Sequence, residues 1–357
     1  MGASSNRLRV AVLFGGRSAE HEVSVLSAIN VVRALDRDRY DPVPVFVTRE
    51  GKWLASRFDD AGLAQPTSGL ELCLVPGGRG RLLGLEESGE ARELPKVDVL
   101  FPVLHGLHGE DGSVQGMAEV ALVPLVGCGI LGSAVALDKD IAKRLLKEAG
   151  IGVARGVTIG HDADQQPEFA DLIETLGQPI FIKPARQGSS VGVSKVADTA
   201  SYQAALAEGF RHDRKLLAEE FVQGREIECS VLEDEQGGLF VSRPGEIVPA
   251  ESHGFYSYDA KYVDADGAAL KVPADLPEEL EAKIRETAAR AFRALGCDGM
   301  ARVDFFVTGN RDFVVNELNT IPGFTNISMY PKAMEASGIS QNELVDRLIR
   351  HALARGG

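Results

Sequence analysis

Cysteine is scarce and scattered in this chain. Cys73, Cys128, Cys229 and Cys297 are the four present, and no two form a Cys-x-x-Cys pair. That excludes a zinc or iron–sulfur signature and a disulfide framework, and leaves reduced buried thiols as the expectation. No apolar run approaches the roughly 18 residues of a membrane span. Met1-Gly2-Ala3-Ser4-Ser5-Asn6 lacks an apolar leader core, and Asn6 misses the Ser/Thr of the myristoylation pattern. A cytoplasmic protein without membrane attachment is expected. Positive charge is also short. Lys and Arg number 38 against 52 Asp and Glu, a net charge of −14, which argues against general attraction to nucleic acid or anionic lipid. An anionic ligand would then need locally placed lysines and backbone amides. Low-complexity tracts and internal repeats are absent, and 357 residues suffice for two to three domains with separate cores.

What is there reads as strand–helix alternation of the open α/β type. Residues 8–14 form an apolar run expected to be a buried strand, followed by the turn Gly15-Gly16-Arg17-Ser18. Glu20 to Leu35 reads as a helix with Val23, Leu26, Ile29, Val31 and Val32 as its apolar positions. Strands follow at Pro42–Thr48 and Val97–Val103, while 50–95 gives no clear pattern. A helix over Lys139–Ala149 ends at Gly150, a natural C-cap. Further strands are expected at Pro179–Lys183, Val191–Val196, Leu216–Phe221, 226–232 and 239–242, with helices over 199–210, 277–295 and from Gln341. Composition and patterning place domain boundaries near 127 and 222, giving units 1–127, 128–222 and 223–357.

The chemistry concentrates in two places. Arg302-Val303-Asp304-Phe305-Phe306-Val307 is answered after turn residues by Val314-Val315-Asn316-Glu317-Leu318-Asn319, an antiparallel hairpin. A symmetric register sets Asp304 opposite Glu317 and Arg302 opposite Asn319. One face then carries these four groups, and the other carries Val303, Phe305, Val307, Val314 and Leu318. Two carboxylates with Cβ atoms about 5 Å apart repel, and a hard divalent cation shared with phosphate would compensate. The plainer alternative is two solvated acids with Arg302 as a local counter-ion. On the cation reading, Asp304→Asn or Glu317→Gln should abolish turnover and leave the fold intact. The second place is Ile180-Phe181-Ile182-Lys183-Pro184-Ala185-Arg186-Gln187-Gly188-Ser189-Ser190-Val191-Gly192-Val193, where a strand delivers one lysine and a glycine–serine turn exposes backbone amides. Such a turn is a nest for phosphate oxygens; the alternative is a flexible surface hairpin. Gly127-Cys128-Gly129-Ile130-Leu131-Gly132 competes as a dinucleotide fingerprint, with an apolar strand-like run before it and Glu148 about where a ribose-binding acid would lie. It would make the chain an NAD-dependent oxidoreductase.

The lysine–glycine hairpin and the Arg302-x-Asp304…Asn316-Glu317-x-Asn319 pair resemble the ATP-grasp superfamily of carboxylate–amine ligases. Three more stretches resemble its D-alanine–D-alanine ligase family: Phe14-Gly15-Gly16-Arg17-Ser18-Ala19-Glu20-His21-Glu22-Val23-Ser24, the run from His105 to Gly112, and the run from Asn319 to Met329. The likeness runs from about residue 8 to the C-terminus in the family's order. It implies an ATP-grasp fold, α/β with an α+β ATP-binding part, behind an N-terminal open α/β domain.

The resemblance further implies a reaction in which ATP activates one D-alanine as an acyl phosphate and the amine of a second displaces phosphate, supplying a peptidoglycan precursor. Asp304, Glu317 and Asn319 would hold two Mg²⁺ ions, with Mn²⁺ an alternative. Lys139, Lys183 and Lys261 would meet ATP phosphates. Glu219, Phe221, Val222 and Glu226 would surround adenine and ribose. Glu20 would grip the first D-alanine's ammonium, although a carboxylate at a helix start is also plain dipole compensation. Arg302 and the amide of Gly323 would face the oxyanion, and Ser328 with the Met329 amide would take the second carboxylate. Tyr262 would bond to Ser189 and so to Glu20 within a lid over 251–262, and a tyrosine there favours the dipeptide over a D-alanyl–D-lactate ester. His105 reads either as a core histidine or as a group near the second substrate. Relatives form homodimers, so one is expected here, with D-alanine and ATP as the other partners.

Overall fold

The computed structural model describes residues 7–162, 164, 166–249, 268–309 and 312–356. Three sheets organise the chain. The first holds β1 (Leu8–Gly15), β2 (Tyr40–Val47), β3 (Trp53–Ala55), β6 (Glu71–Leu74), β7 (Leu82–Leu85), β8 (Ala91–Leu94) and β9 (Val99–Val103) in the order β8-β7-β6-β3-β2-β1-β9. A two-stranded ribbon, β4 (Phe58–Asp59) with β5 (Gly62–Leu63), stands beside it. β1 pairs in parallel with β2 and β9, as the helix α1 (His21–Ala34) between β1 and β2 requires. The stretch 50–95, opaque in sequence, extends this sheet through short antiparallel pairs. Each strand there has only two to four residues, too few for a periodic signal.

The expected helix over Glu20–Leu35 forms, but its buried face differs from the expected one. Leu26 is 57% exposed, while Ser24, Ala28, Val31 and Val32 are fully covered. Small residues win because the helix lies close to β1: Ser24 Oγ accepts from Gly15 N at 2.8 Å and donates to Val103 O.

The second sheet holds β10 (Gly156–Gly160), β11 (Ile180–Pro184), β12 (Ser194–Val196) and β13 (Lys215–Glu220) in the order β10-β13-β11-β12, with helices α5 (Phe169–Leu176) and α6 (Thr199–Gly209). The third holds β14 (Arg225–Glu233), β15 (Leu239–Val241), β16 (Gly245–Pro249), β17 (Ala268–Lys271), β18 (Met300–Val307) and β19 (Phe313–Asn319), ordered β17-β16-β14-β18-β19 with β15 on β14. Helix α7 (Glu278–Ala294) buries Ile284, Ala288 and Phe292 against it.

The remaining helices tie the sheets together. α2 (Ser113–Ala121) covers the first sheet through Val114 and Ala118. α3 (Ile130–Leu137) and α4 (Lys139–Glu148) send Ala136, Ala142 and Leu146 into the core of the third sheet. α8 (Met329–Ala336) and α9 (Gln341–Arg355) send Met334, Leu344, Leu348 and Ile349 into the core shared with α1, β1 and β9.

Candidate active site

The β18–β19 hairpin builds the acidic part of the site. Its register sets Asp304 opposite Glu317 and Arg302 opposite Asn319, as the symmetric reading requires. Beyond Asp304 the register shifts, and Phe305 pairs with Val315 instead of Asn316. This bulge sends Val315, not the expected Val314, into the core beside Val303, Phe305, Val307 and Leu318. It also turns Asn316 and Glu317 together toward a cavity of about 490 Å³ between the second and third sheets.

A third carboxylate joins the row. β14 lies on the other side of β18, with Glu228 opposite Asp304. Arg302 sits among them, with Nε 3.0 Å from Glu228 Oε2 and 2.7 Å from Asp304 Oδ1, and Nη2 2.7 Å from Asp304 Oδ2. Burial opposes its charge, but the fields of Asp304 and Glu228 outweigh burial and hold the guanidinium pKa well above its ordinary value. Asn319 Nδ2 donates to Asp304 Oδ2 at 3.4 Å. Among the described residues no three of His, Cys, Asp and Glu gather as a metal cluster. Asp304, Glu317 and the amide oxygen of Asn319 nevertheless form a hard-oxygen set on one face, the donor chemistry that suits Mg²⁺ shared with phosphate.

The opposite wall comes from α4 and the second sheet. Asp138 Oδ1 accepts from Ile141 N at 3.2 Å, capping α4 and setting Lys139 at its first turn. Lys139 Nζ reaches Glu317 Oε2 at 3.2 Å and Gln187 O at 2.8 Å. On β11 and β13, Phe181 pairs with Glu219, so Lys183 two residues on lies diagonally across the same face. Lys183 Nζ forms an ion pair with Glu219 Oε2, and Lys143 Nζ stands 3.0 Å from Oε1. Burial would raise the Glu219 carboxyl, but Lys143 and Lys183 overcome it and hold its pKa below the usual value. Phe221, Val222 and Glu226 line the same cavity, and Phe221 and Phe181 stand 5.8 Å apart, centroid to centroid.

The glycine–serine turn runs longer than expected, because the return strand starts at Ser194 rather than Val191. Ser189 and Ser190 take left-handed φ of 50° and 59°, uncommon for residues with a Cβ. That shape brings the Ser189 hydroxyl onto Glu20 Oε1, joining the second sheet's turn to the first sheet's helix start. Gly188 and Gly106 both flank Glu20; a Cβ would stand 3.3 Å and 3.6 Å from its Oε2.

Beside Glu20 lies His105. Its Nδ1 bonds to Ile321 O at 2.9 Å, while Nε2 is buried with no hydrogen-bond partner. Burial lowers its pKa and keeps it neutral. Glu110, unnoticed in sequence, accepts from Gly106 N at 2.8 Å and Ile321 N at 3.0 Å. Burial, helped by the charge of Glu20, pushes its carboxyl up to about 7. Ser328 precedes α8, and its Oγ accepts from Thr325 N at 2.9 Å. Gly323 lies over it; a Cβ there would meet Ser328 Oγ at 2.7 Å. The Met329 side chain is buried against Gly245, so only its amide could serve a ligand. Lys261 and Tyr262 lie outside the described residues.

The glycine fingerprint does not open toward the cavity. Gly129 N donates to Asp298 Oδ2 at 3.2 Å, so this chain's own acid occupies the start of α3. A Cβ on Gly132 would meet Cys128 Sγ and Gly296 O at 2.5 Å. These glycines serve close packing, and the run before them leaves α2 at Ala121 and continues as a loop with one isolated bridge at Leu125 rather than a strand. The dehydrogenase alternative loses its structural support. Sequence reasoning missed Lys143, Glu110 and Glu228. Lys143 had a signal: it stands four residues after Lys139 on one helix face.

Residues 9–128 match the family described as D-ala D-ala ligase N-terminus, and residues 145–350 the family D-ala D-ala ligase C-terminus. The chain is 65% identical to a D-alanine–D-alanine ligase A of Brucella suis, over 99% of both chains. Its structure is similar to that of the Coxiella burnetii D-alanine-D-alanine ligase, with TM-score 0.83, 35% identity, and coverage of 98% of this chain and 95% of that one. The VanG D-Ala:D-Ser ligase of Enterococcus faecalis also superposes with TM-score 0.83 at 36% identity, over 97% of this chain and 100% of that one.

Proposed function

The chain belongs to the D-alanine–D-alanine ligase family, and from that membership we propose how its cavity joins two D-alanines at the expense of ATP for cell-wall precursor synthesis. The fold is the ATP-grasp arrangement, with the nucleotide assigned between the second and third sheets. Adenine lies by Phe181, Phe221 and Val222, and ribose hydroxyls donate to Glu226. Lys139 and Lys183 meet the phosphates, with Lys261 joining them from the lid. Asp304, Glu317 and Asn319 would hold Mg²⁺, two ions on the family's pattern, which would neutralise phosphate charge; Mn²⁺ suits the same oxygen donors. The observation that carries this reading is the 3.2 Å contact of Lys139 with Glu317. It brings a phosphate-binding cation within ion-pair reach of the acidic pair.

Glu20, buttressed by Ser189, takes the ammonium of the first D-alanine. The carboxylate oxygen of that D-alanine attacks the γ-phosphorus, the bond to the β–γ bridging oxygen breaks and ADP leaves, giving D-alanyl phosphate. Phosphoryl transfer asks mainly for positioning and charge neutralisation. The second D-alanine anchors its carboxylate at Ser328 and the Met329 amide, where the start of α8 favours an anion. Its amine attacks the acyl carbon and phosphate departs, while Arg302 and the Gly323 amide stabilise the oxyanion. Tyr262 completes the Ser189–Glu20 chain and favours an amine over a hydroxyl nucleophile. His105 lies near the second substrate.

The three-part division at 127 and 222 is likewise a proposal. Within it, 128–150 departs from the central unit expected at 128–222: the burial of Ala136, Ala142 and Leu146 in the third core supports assigning that stretch to the last part. Met117, Val120, Leu122, Ile130 and Leu131 leave an apolar patch of α2 and α3 exposed, which supports a homodimer. The enzyme works in the cytoplasm, where its substrates are.

The deciding experiment is ADP release coupled to a spectrophotometric readout. It should require D-alanine and ignore L-alanine. Release without D-alanine, or equally with the L-isomer, would sink the reading. D-lactate competition over a pH series separates the dipeptide from the ester-forming alternative: at neutral pH, dipeptide should dominate.

A further inference from the structure

Three lysines and two glutamates gather at one side of the cavity, four on its wall and one lysine behind it, and their charges do not cancel. Lys139 meets Glu317, and Lys183 meets Glu219. The third lysine, Lys143, does not line the cavity. It approaches Glu219 from behind, at 3.0 Å, with side-chain exposures of 6% for the lysine and 3% for the glutamate. A lysine at that depth is rare unless paired. Burying an ion pair costs about as much as it returns, so stability gives little reason to keep one.

The pairing arithmetic supplies a reason. If Glu219 had Lys183 as its sole partner, the two would close as a neutral pair, and Lys183 would bring no net charge to a polyanion. With Lys143 on the second oxygen, the carboxylate is shared and the trio carries one positive charge. Only Lys183, 14% exposed and on the cavity wall, can present that charge to a ligand. Glu317 differs, because it belongs to the metal donor set; Glu219 lies outside that set, on β13.

We propose that Lys143 is a positioning residue for nucleotide binding, holding Glu219 from behind so that the charge of Lys183 is free for phosphate. This rests on the nucleotide reading of the cavity. The electrostatics agree with it. Burial lowers the Lys143 pKa, and the like charge of Lys183 adds to the effect against the pull of Glu219. Loss of the Lys143 proton would remove the trio's net charge, so nucleotide affinity should fall on the alkaline side.

The test is calorimetric titration of MgADP into wild-type enzyme, Lys143→Met, Glu219→Gln, the double variant and Lys183→Met, from neutral to alkaline pH. Lys143→Met should weaken MgADP about tenfold and erase the alkaline fall. The erased pH dependence, rather than any change in melting temperature, is what a merely structural lysine would not give. In the Glu219→Gln background, Lys143→Met should change affinity less than about twofold, because its effect runs through Glu219. Wild-type affinity and pH profile in Lys143→Met would overturn the proposal, as would an equal loss in both backgrounds. If Lys143→Met does not fold, the double variant against Glu219→Gln decides, since neither strands a carboxylate: equal affinity supports the proposal and a tenfold difference overturns it. Unchanged MgADP affinity in Lys183→Met would instead remove the nucleotide reading itself. Loss in Lys183→Met without loss in Lys143→Met would remove only the role of Lys143.

Discussion

Asp304 and Glu317 face each other across one hairpin, yet they stand in different electrical surroundings. Asp304 is the bidentate partner of the half-buried Arg302, whereas Glu317 meets Lys139, which keeps its bond to Gln187 O. Sequence reasoning alone expects either neutral substitution to leave the fold intact. The structure separates them. Asp304→Asn should cost about 2 kcal/mol, because it takes a charge-assisted bidentate partner from a half-buried guanidinium, while Glu317→Gln should cost no more than about 1 kcal/mol. Denaturant melts would show the difference, and both variants should lose turnover by about a hundredfold or more. Equal stabilities would refute the role given to Arg302. Glu110 gives the second residue-scale expectation. Its carboxyl is raised to about 7 in the folded chain, so the native state holds a proton that the unfolded state releases near the ordinary carboxyl pKa. The stabilisation from this proton is fully present below about pH 4.5 and is lost as pH rises toward 7, by about 3 kcal/mol. Glu110→Gln should flatten that limb of the stability–pH curve, at a cost of about 1–2 kcal/mol for one backbone amide left facing an amine. An unchanged slope would place the titration elsewhere.

At the level of elements, the long apolar strands and capped helices were legible in the chain: β1, β2, β9, α4, α6, α7 and both strands of the hairpin lie where their patterns set them. Three things were not. The 50–95 strands are too short to show alternation, α1 buries serine and alanine in place of leucine, and the β19 bulge exchanges Val314 for Val315. Each depends on what the element packs against. The glycine run at 127–132 shows the same dependence, since its pattern is shared by phosphate loops and by tight helix packing. Gly132→Ala should destabilise the chain by about 1–3 kcal/mol through its clash with Gly296 O and Cys297 Cα. Its KM for ATP should stay unchanged at a temperature where it is folded. A raised KM with unchanged stability would return that glycine run to ligand binding.

Over the whole molecule, the cores do not follow chain order. The last helices, α8 and α9, complete the core of the first sheet: Phe101 lies 6.4 Å from Phe324 in ring centroids, and Tyr40 Oη donates to Asp346 Oδ1 at 2.7 Å. This closure holds Gly323 and Ser328 over α1, where Ser27 accepts from Phe324 N at 3.0 Å. The patch on α2 and α3 carries the last expectation. Val120 and Leu131 are 62% and 68% exposed, apolar side chains of the kind that a homodimer interface covers. Val120→Glu with Leu131→Asp should halve the mass measured by light scattering without lowering the melting temperature of the protomer. A mass that stays unchanged would exclude this face as the dimer interface. By itself the sequence determined the element types, the Asp304–Glu317 confrontation and the lysine at the end of β11, because strand periodicity and turn chemistry are local. Only the tertiary structure decided that Lys143 backs Glu219, that Arg302 divides its charge between Asp304 and Glu228, and that Ser189 reaches Glu20. Those pairings join groups from distant parts of the chain, and their free energy depends on a burial that no local pattern encodes.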